Sequence, residues 1–578
     1  MKILLNKKTT IVLSIVVLFT SITKAQIPEK LKNSPPFKMH ALMVKPSNKP
    51  HALHQLNDIR HNNNYAPCLK VQTTLGGSNY DAGLKITRTS DGGFIACGIT
   101  NSNDDGFHVP ASNGPDAFVA RYNKYSQLVW LKTFGGTGYD SFNDIVQTYD
   151  GGYIALGQSG SNDGDVSGNH GGIDVWAVKL NSSGNIEWQK CFGGSGDDFG
   201  DAVVQTFYGG YAITGFTNSN DGNIQGNHNT DGNFDAWFIQ INAKGNLLSQ
   251  HCYGGSDFDG LFAMVQADFG SFILEGQTFS NDGDVSGNHG GGDVWVIKIN
   301  AIGKIVWQRA VGGSGYDNGA SNEIATTTDG NVVINGYSTS PDGDINGQND
   351  SSVSFITKLN AYTGKIIWSK SYAEPSLRAG SGIFATKDGG IVETGVVSAN
   401  FDMATFDALI SKFDKNGNEE WVKSFGGSDY DGAIDGYETT NGDLNILCQT
   451  ISIDGDVKNN HGAEDTWIIK LGRCGEKLDD EKSVTTNERL EVTKNNTATN
   501  NSAIKLYPNP AKDAIKIEGL NASAKTTLSL FNVSGKLVQQ STAIGETYIF
   551  NLENLAAGSY YITIKSDKEI TTLKFVKE

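Results

Sequence analysis

The chain has 578 residues, 63 of them acidic against 46 basic, a formal net charge of -17, and 70 glycines. That length exceeds one ordinary core, and a glycine-rich chain with only 19% charged residues favours a turn-rich β protein over a helical one. The acidic balance excludes nucleic acid and anionic membranes as principal partners, since both require a basic face.

Residues 1–25 read as a secretory signal peptide: Lys2, Lys7 and Lys8, an apolar stretch from Ile11 to Phe19, and Thr23-Lys24-Ala25 before Gln26. The apolar run falls short of the ~20 residues that span a bilayer. No later segment is apolar enough either, so the mature chain is expected to carry no transmembrane segment. Residues 26–66, with Pro35-Pro36 and scattered His and Asn, read as a flexible leader.

One unit then recurs, clearest from Phe134 to Cys191 as FGGTGYD, TYDGGYIALGQ, SNDGDVSGNHGG, DVWAVKLNSSG and NIEWQK. A period of roughly 55–60 residues carrying four strand-like runs is what a β-propeller blade requires. The repeats fall at 75–133, 134–191, 192–252, 253–310, 311–371, 372–424 and 425–478. Asp-Gly turns at 91, 150, 329 and 388 supply tight hairpins. Repeat seven breaks off before its fourth strand, while residues 68–74 match a fourth strand upstream of repeat one. The region 67–478 is therefore predicted to be a seven-bladed β-propeller closed by its N-terminal strand. On that alignment Cys68 and Cys474 face each other across the open turn, at a spacing that suits a disulfide. Cys97, Cys191, Cys252 and Cys448 read as buried thiols.

Tryptophan recurs in the third strand (Trp176, Trp237, Trp295, Trp467) and in the fourth (Trp130, Trp188, Trp307, Trp368, Trp421). The same strand position in successive blades points to packing between blades, in preference to sugar-stacking platforms.

In a four-stranded meander, the loop between strands two and three lies at the same end as the link to the next blade. That end carries Asp140, Asp198, Asp259 and Asp317 and the loop histidines His170, His228, His289 and His461, which together are the expected ligand-binding face. Two readings compete for the Asp-Gly-Asp-x-x-Gly-Asn-His loops. Asp163, Asp165, Asn169 and Asp174, with Asp282, Asp284, Asn288 and Asp293 two repeats on, offer hard oxygens for Ca²⁺. The same residue types also build tight turns through side-chain to backbone bonds. One histidine per blade does not make a zinc site. The acids repeat blade by blade, whereas catalysis needs an asymmetric set, so no catalytic residue is assigned. Repeat six departs from the pattern, with Tyr372-Ala373-Glu374-Pro375-Ser376-Leu377-Arg378 in place of the consensus.

Residues 479–503 read as a polar linker. Beyond them, Tyr507-Pro508-Asn509-Pro510, the turn through Gly535 and Lys536, and the segment through Gly558 and Tyr560 open, turn and close a run of short alternating strands, as in a small Ig-like β-sandwich. Residues 504–578 closely resemble the type A C-terminal sorting domain of the type IX secretion system. The resemblance implies a member of the Bacteroidota, export through the type IX machinery, and a secreted or outer cell-surface location. The repeats separately resemble Gly- and Asp-rich propeller repeats of surface proteins from the same bacteria, some described as endoglucanase-like, and that likeness brings no catalytic residues with it. The resulting expectation is an all-β binding or adhesion protein that recognises an extracellular glycan or protein. The alternative is a carbohydrate-active hydrolase using two face carboxylates, with Asp140, Asp198 and Asp259 as nominal candidates. Paired acids of that kind sit ~5 to 9.5 Å apart.

Overall fold

The computed structural model describes residues 67–474 and 505–577, apart from 111–112, 207–208, 229–231, 268–269, 346–352, 373–376 and 399–404 in the first stretch and 508–510, 513, 521–524, 533–536, 553–554, 556–557 and 566–569 in the second. The signal, leader and linker assignments, and Pro508, Asn509, Pro510, Gly535 and Lys536 of the sorting motifs, lie outside these residues. The described residues form 35 strands, numbered here in chain order, and no helix. The chain divides into two compact units, Met1–Asp479 and Asp480–Glu578.

Alternating turn signals and short apolar runs make the first unit a series of antiparallel sheets of four strands each. In the second sheet β6 (Asp140–Gln147), β7 (Tyr153–Ser159), β8 (Asp174–Leu180) and β9 (Ile186–Phe192) lie side by side in chain order. Six such meanders are joined by a seventh sheet of mixed origin. There β1 (Cys68–Leu75) pairs antiparallel with β28 (Asp465–Gly472) and so lies outermost, beyond β27 (Leu444–Thr450) and β26 (Asp431–Glu438). First strands touch first strands around the whole ring, from β2 (Asp81–Arg88) through β6, β10 (Asp198–Gln205), β14 (Asp259–Gln266), β18 (Asp317–Thr326) and β22 (Leu377–Ala385) to β26 and back to β2. This closed ring of radial sheets is a β-propeller. The expected Cys68–Cys474 disulfide is present, with a Cα separation of 5.1 Å. Cys97, Cys191 and Cys448 are buried thiols, while Cys252 is only partly buried.

Burial follows from radial position. Strands β7 and β8 are buried along their whole length, packed on both faces by neighbouring sheets, whereas the outer strand β9 is half exposed. Trp176, Trp237, Trp295 and Trp467 are all but inaccessible. Each donates its indole N–H to a glutamine of the outer strand: Gln189 at 3.0 Å, Gln250 at 3.0 Å, Gln308 at 3.1 Å and Gln72 at 3.0 Å. Each glutamine amide in turn donates to the long loop, at Ser167, Gln225, Ser286 and Asp456. In the seventh sheet it is the N-terminal strand that provides the glutamine. Trp130, Trp188, Trp307 and Trp368 lie against glycines of the next turn, where an added Cβ would come within 2.6–2.9 Å of the indole at Gly184, Gly245, Gly364 and Gly417. Both tryptophan sets are therefore used in packing.

The second unit has a three-stranded sheet of β29 (Lys505–Tyr507), β30 (Ala514–Glu518) and β33 (Thr547–Asn551). A four-stranded sheet runs in the order β32 (Leu537–Ile544), β31 (Lys525–Asn532), β34 (Gly558–Lys565), β35 (Ile570–Lys577). Ile515, Ile517, Leu528, Leu530, Phe550, Ile562 and Phe575 from both sheets form one apolar cluster. Tyr560 is buried and stacks on Phe575 at 5.7 Å, whereas Tyr507 is exposed with the Lys516 ammonium 5.7 Å from its ring centre.

Candidate functional site

The link between sheets and the long loop meet at one end of each sheet, and what they do there begins with the Gly-Gly pair. A Cβ on Gly135 would lie 2.4 Å from Asp116 Oδ1 and 2.8 Å from Asp140 Oδ2, and one on Gly136 would lie 2.3 Å from Asp163 Oδ1. Only glycine lets these carboxylates approach. Asp140 Oδ2 accepts from Gly136 N at 2.8 Å and from the Ser161 hydroxyl at 2.6 Å, and its Oδ1 accepts from the Ser159 hydroxyl. Asp198, Asp259 and Asp317 are held alike by Gly194, Thr217 and Ser219, by Gly255, Thr278 and Ser280, and by Gly313, Ser338 and Ser340. All four are fully buried. This corrects the sequence expectation that they face a ligand: they sit at the correct end of the sheets, but the amide and hydroxyls that satisfy them are internal. Burial raises Asp198 and Asp259 to about 6 against the pull of those donors.

The expected calcium set is divided in the same way. Asp163 caps the turn by accepting from Thr137 N at 2.8 Å, and Asp165 Oδ2 lies 3.4 Å from Gly135 N, so both face the first sheet. Asp174 faces Gly193 at the third sheet. The Asn169 amide is used on Ser159 O and Gly172 O, and its Oδ1 on Gly171 N. The second set is divided in a similar way: Asp282 lies over Gly255 and Asp293 over Gly312, the Asn288 amide donates to the Thr278 and Ser280 carbonyls, and Asp284 is anchored by its backbone N–H on the Gly254 carbonyl. Among the described residues no three His, Cys, Asp or Glu side chains are grouped to hold a metal ion.

The histidines remain accessible. His170 donates its backbone N–H to Asp174 Oδ2 at 3.0 Å and sets its Nδ1 2.6 Å from the same oxygen. His228 with Asp235, His289 with Asp293 and His461 with Asp465 repeat the arrangement, at Nδ1 distances of 2.6, 2.5 and 2.9 Å. The carboxylates are wholly buried, while the imidazoles are 36, 36, 40 and 36% exposed in the order His170, His228, His289, His461. A ring tethered through Nδ1 has its orientation fixed, as second-sphere carboxylates fix catalytic and metal-bound imidazoles. At the hairpin end, Tyr125, Tyr149, Ile302 and Tyr362 are exposed. They are isolated turn residues of a kind common on soluble surfaces.

One cluster was not foreseen. Bulges between Gly83 and Lys85, between Phe142 and Asp144, between Gly200 and Ala202 and between Ala433 and Asp435 re-aim inner-strand side chains toward the axis. Lys85 Nζ lies 3.6 Å from Asp435 Oδ2. Burial alone would lower the lysine, but Asp435 and Asp144 outweigh it and hold the ammonium above its usual range. Asp144 accepts from Ile145 N and Val203 N, each at 2.8 Å, and burial pushes its carboxyl up. Asp201 Oδ2 and Asn143 Oδ1 have no partner among the described residues. Lys85, Asn143, Asp144, Asp201, Ala202, Ala263, Met264 and Ile324 line a cavity of about 40 Å³. At ~10–15 Å³ per water centre it takes a few waters and excludes a sugar. The available signal was the column four residues after the strand-opening Asp, which reads Lys, Asp, Ala, Ala in sheets one to four while the Asp itself stays constant.

Comparison with known proteins identifies the second unit. Residues 505–578 match the family described as the secretion system C-terminal sorting domain. The chain is thus exported by the type IX secretion system to the cell surface or extracellular space. No curated protein matches the chain. Solved structures similar to it include a gluconolactonase from Xanthomonas campestris, with 10% identity, 56% of this chain and 92% of that chain covered, and a TM-score of 0.29. Another is Sqt1 from Chaetomium thermophilum, with 11% identity, 71 and 100% coverage and a TM-score of 0.35. A third is a protein of unknown function from Dyadobacter fermentans, with 9% identity, 70 and 99% coverage and a TM-score of 0.36. Likeness at this level bears on neither activity nor ligand. Among the described residues no helix is long and apolar enough to cross a membrane.

Proposed function

We propose that the first unit is a seven-bladed propeller that binds an extracellular glycan or protein without turning it over, and that the second is an Ig-like sandwich serving its export in a member of the Bacteroidota, after removal of an N-terminal signal peptide. The observation that carries the binding reading is the set of imidazoles His170, His228, His289 and His461, each locked by a buried aspartate and exposed at its outer edge. Repeated, pre-oriented polar groups on one end of a ring suit a ligand with repeating features, because little side-chain freedom remains to be lost on binding. Three exposed acids of that end are poorly suited to general acid work. Asp104, Asp221 and Asp342 are each held below the usual carboxylate range by the backbone N–H of Ser78, Ser195 and Ser314 respectively.

The hydrolase reading has one observation in its favour, the asymmetric Lys85, Asp144, Asp201 and Asp435 cluster, in which burial raises the carboxyls of Asp144 and Asp201. The cavity beside it has room for waters only, which places the binding reading ahead. A glycan array and a surface-protein pull-down with the full chain, followed by product analysis, test the reading. Binding without product supports it, and a shortened glycan overturns it.

A further inference from the structure

At several sheet-to-sheet junctions three carboxylates gather around one glycine, and the neighbours of those carboxylates differ in an informative way. Where the third sheet meets the fourth, His228 stands between two of them, with Nδ1 2.6 Å from Asp235 and Nε2 3.8 Å from Asp284. Where the fourth meets the fifth, His289 takes Asp293 at 2.5 Å and Arg309 takes both oxygens of Asp344 at 2.8 and 3.0 Å. Where the first meets the second, Asp116, Asp140 and Asp165 surround Gly135, and among the described residues no base contacts any of them. The sequence from 109 to 116 holds no His, Lys or Arg. Lys132, which occupies the position of Arg309, donates instead to Asn185 Oδ1 at 2.6 Å. The same acids without a contacting base recur as Asp407, Asp431 and Asp456 around Gly426, where the sixth sheet meets the seventh.

Asp116 is the decisive group. It is 5% exposed, and its Oδ1, like that of Asp174, Asp293 and Asp465, has no hydrogen-bond partner and points at the gap over the glycine, here opposite Asp140 Oδ2. Those three carboxylates each hold a histidine on Oδ2, whereas among the described residues Asp116 has none. An orphaned carboxylate oxygen facing a second carboxylate is among the costliest arrangements a folded chain can hold unless a proton or a cation intervenes.

We propose that a divalent cation, Ca²⁺ by the hardness of its oxygen ligands, binds between the first and second sheets to Asp116, Asp140 and Asp165, in the role that His228 plays between the third and fourth. The three carboxylates surround the glycine without meeting at one point. Asp165 lies on an exposed loop, so it can close on an entering ion, with water completing the six to eight ligands calcium takes. Burial first, then Asp140 and Asp165, raise Asp116 to about 8, so a proton competes with the metal there. This site shares Asp165 with one loop set read from sequence but replaces the other members of that set with Asp116 and Asp140, so its ligands come from two adjacent sheets.

The test is calcium titration of the full, chelator-stripped chain by calorimetry, with thermal unfolding in parallel, on the parent and on Asp116→Asn and Asp165→Asn. Asp165→Asn alters an exposed loop side chain and keeps the fold even if the buried substitution does not. The expected result is calcium binding that raises the melting temperature, with each variant binding one equivalent fewer and gaining less on calcium addition. A parent that binds no calcium at millimolar concentration, or variants that bind as many equivalents as the parent, overturns the proposal.

Discussion

The junction that opens at Gly193 and the one that follows Tyr372 are built from different residues. At the first, Gly194, Thr217 and Ser219 hold Asp198 in a hydrogen-bonded cage, Asp174 packs over Gly193, and Asp221 caps the turn. At the second, Val353 stands where β20 (Val353–Leu359) would begin with Asp, and β22 begins with Leu377. Buried charge is handled there by Arg378 with Glu419 at 2.7 Å, and by Glu393, which burial raises to about 7 while Asn335 and Ser354 donate to it. The two strand-opening acids and the Gly-Gly pair are thus lost together, although the strand-ending hydroxyl is kept as Ser398. This is how parts of one structural cassette behave, whereas independent ligand-binding groups could be lost singly.

Four substitutions and conditions probe that contrast. Val353→Asp, which adds one member of the cassette where the second acid and the Gly-Gly pair are missing, buries an unpaired carboxylate and is expected to cost about 3–5 kcal/mol in denaturant unfolding. A cost under 1 kcal/mol on the order of a surface change would mean the members act independently. Replacing Cys68 and Cys474 by serine removes the covalent staple from the sheet assembled from both ends of the first unit, leaving β1 held to β28 by its hydrogen bonds and packing. A loss of about 2–4 kcal/mol is expected, read as the difference between oxidised and reduced parent. Asp198→Ala leaves the Gly194 N–H and two buried hydroxyls without an acceptor, for roughly 2–3 kcal/mol, and the same readout applies.

The smallest effect is a dependence on pH. Burial raises Asp81, Asp198, Asp259, Asp293 and Asp407 to about 6, Asp431 to about 7 and Asp116 to about 8. A folded chain with raised carboxyls holds more protons than the unfolded chain between pH ~4 and ~8, so these groups favour folding in mild acid and lose that contribution as pH rises. Asp150 is the opposite case. Burial works against it, but Thr148, Gly152 and Lys179 hold it at about 2, so its contribution fades only below pH ~4. The propeller transition should therefore melt higher at pH 5 than at pH 8.5 in chelator, and calcium should narrow the difference. A higher melting point at pH 8.5 would show that the cage donors outweigh burial.

The repeat, the turn glycines, the four-stranded sheets, the disulfide and the sorting domain were legible in the sequence because each rests on spacing along the chain. What the spacing could not show is the direction in which a side chain points. Asp140 and His170 lie at the same end of one sheet, yet the first turns into its own turn amides and the second is pinned with an edge outward. That difference depends on Ser159, Ser161 and Asp174, which meet their partners only after the sheets form. The axial cluster was hidden for a related reason: bulges in the inner strands decide that Lys85, Asp144 and Asp435 face one another, and a bulge leaves little trace in a hydrophobic pattern.

The binding reading stands or falls on whether the imidazoles or a carboxylate carry function. The full chain and a variant with His170, His228, His289 and His461 all changed to alanine should be compared on the same array of extracellular glycans and proteins, with product analysis of each bound species. The reading predicts a ligand bound intact by the parent and lost by the variant, which still unfolds cooperatively but at a lower temperature because four buried aspartates lose their imidazole partner. Turnover of a glycan that survives the histidine changes and disappears on changing one axial acid, Asp144 or Asp201, would contradict it.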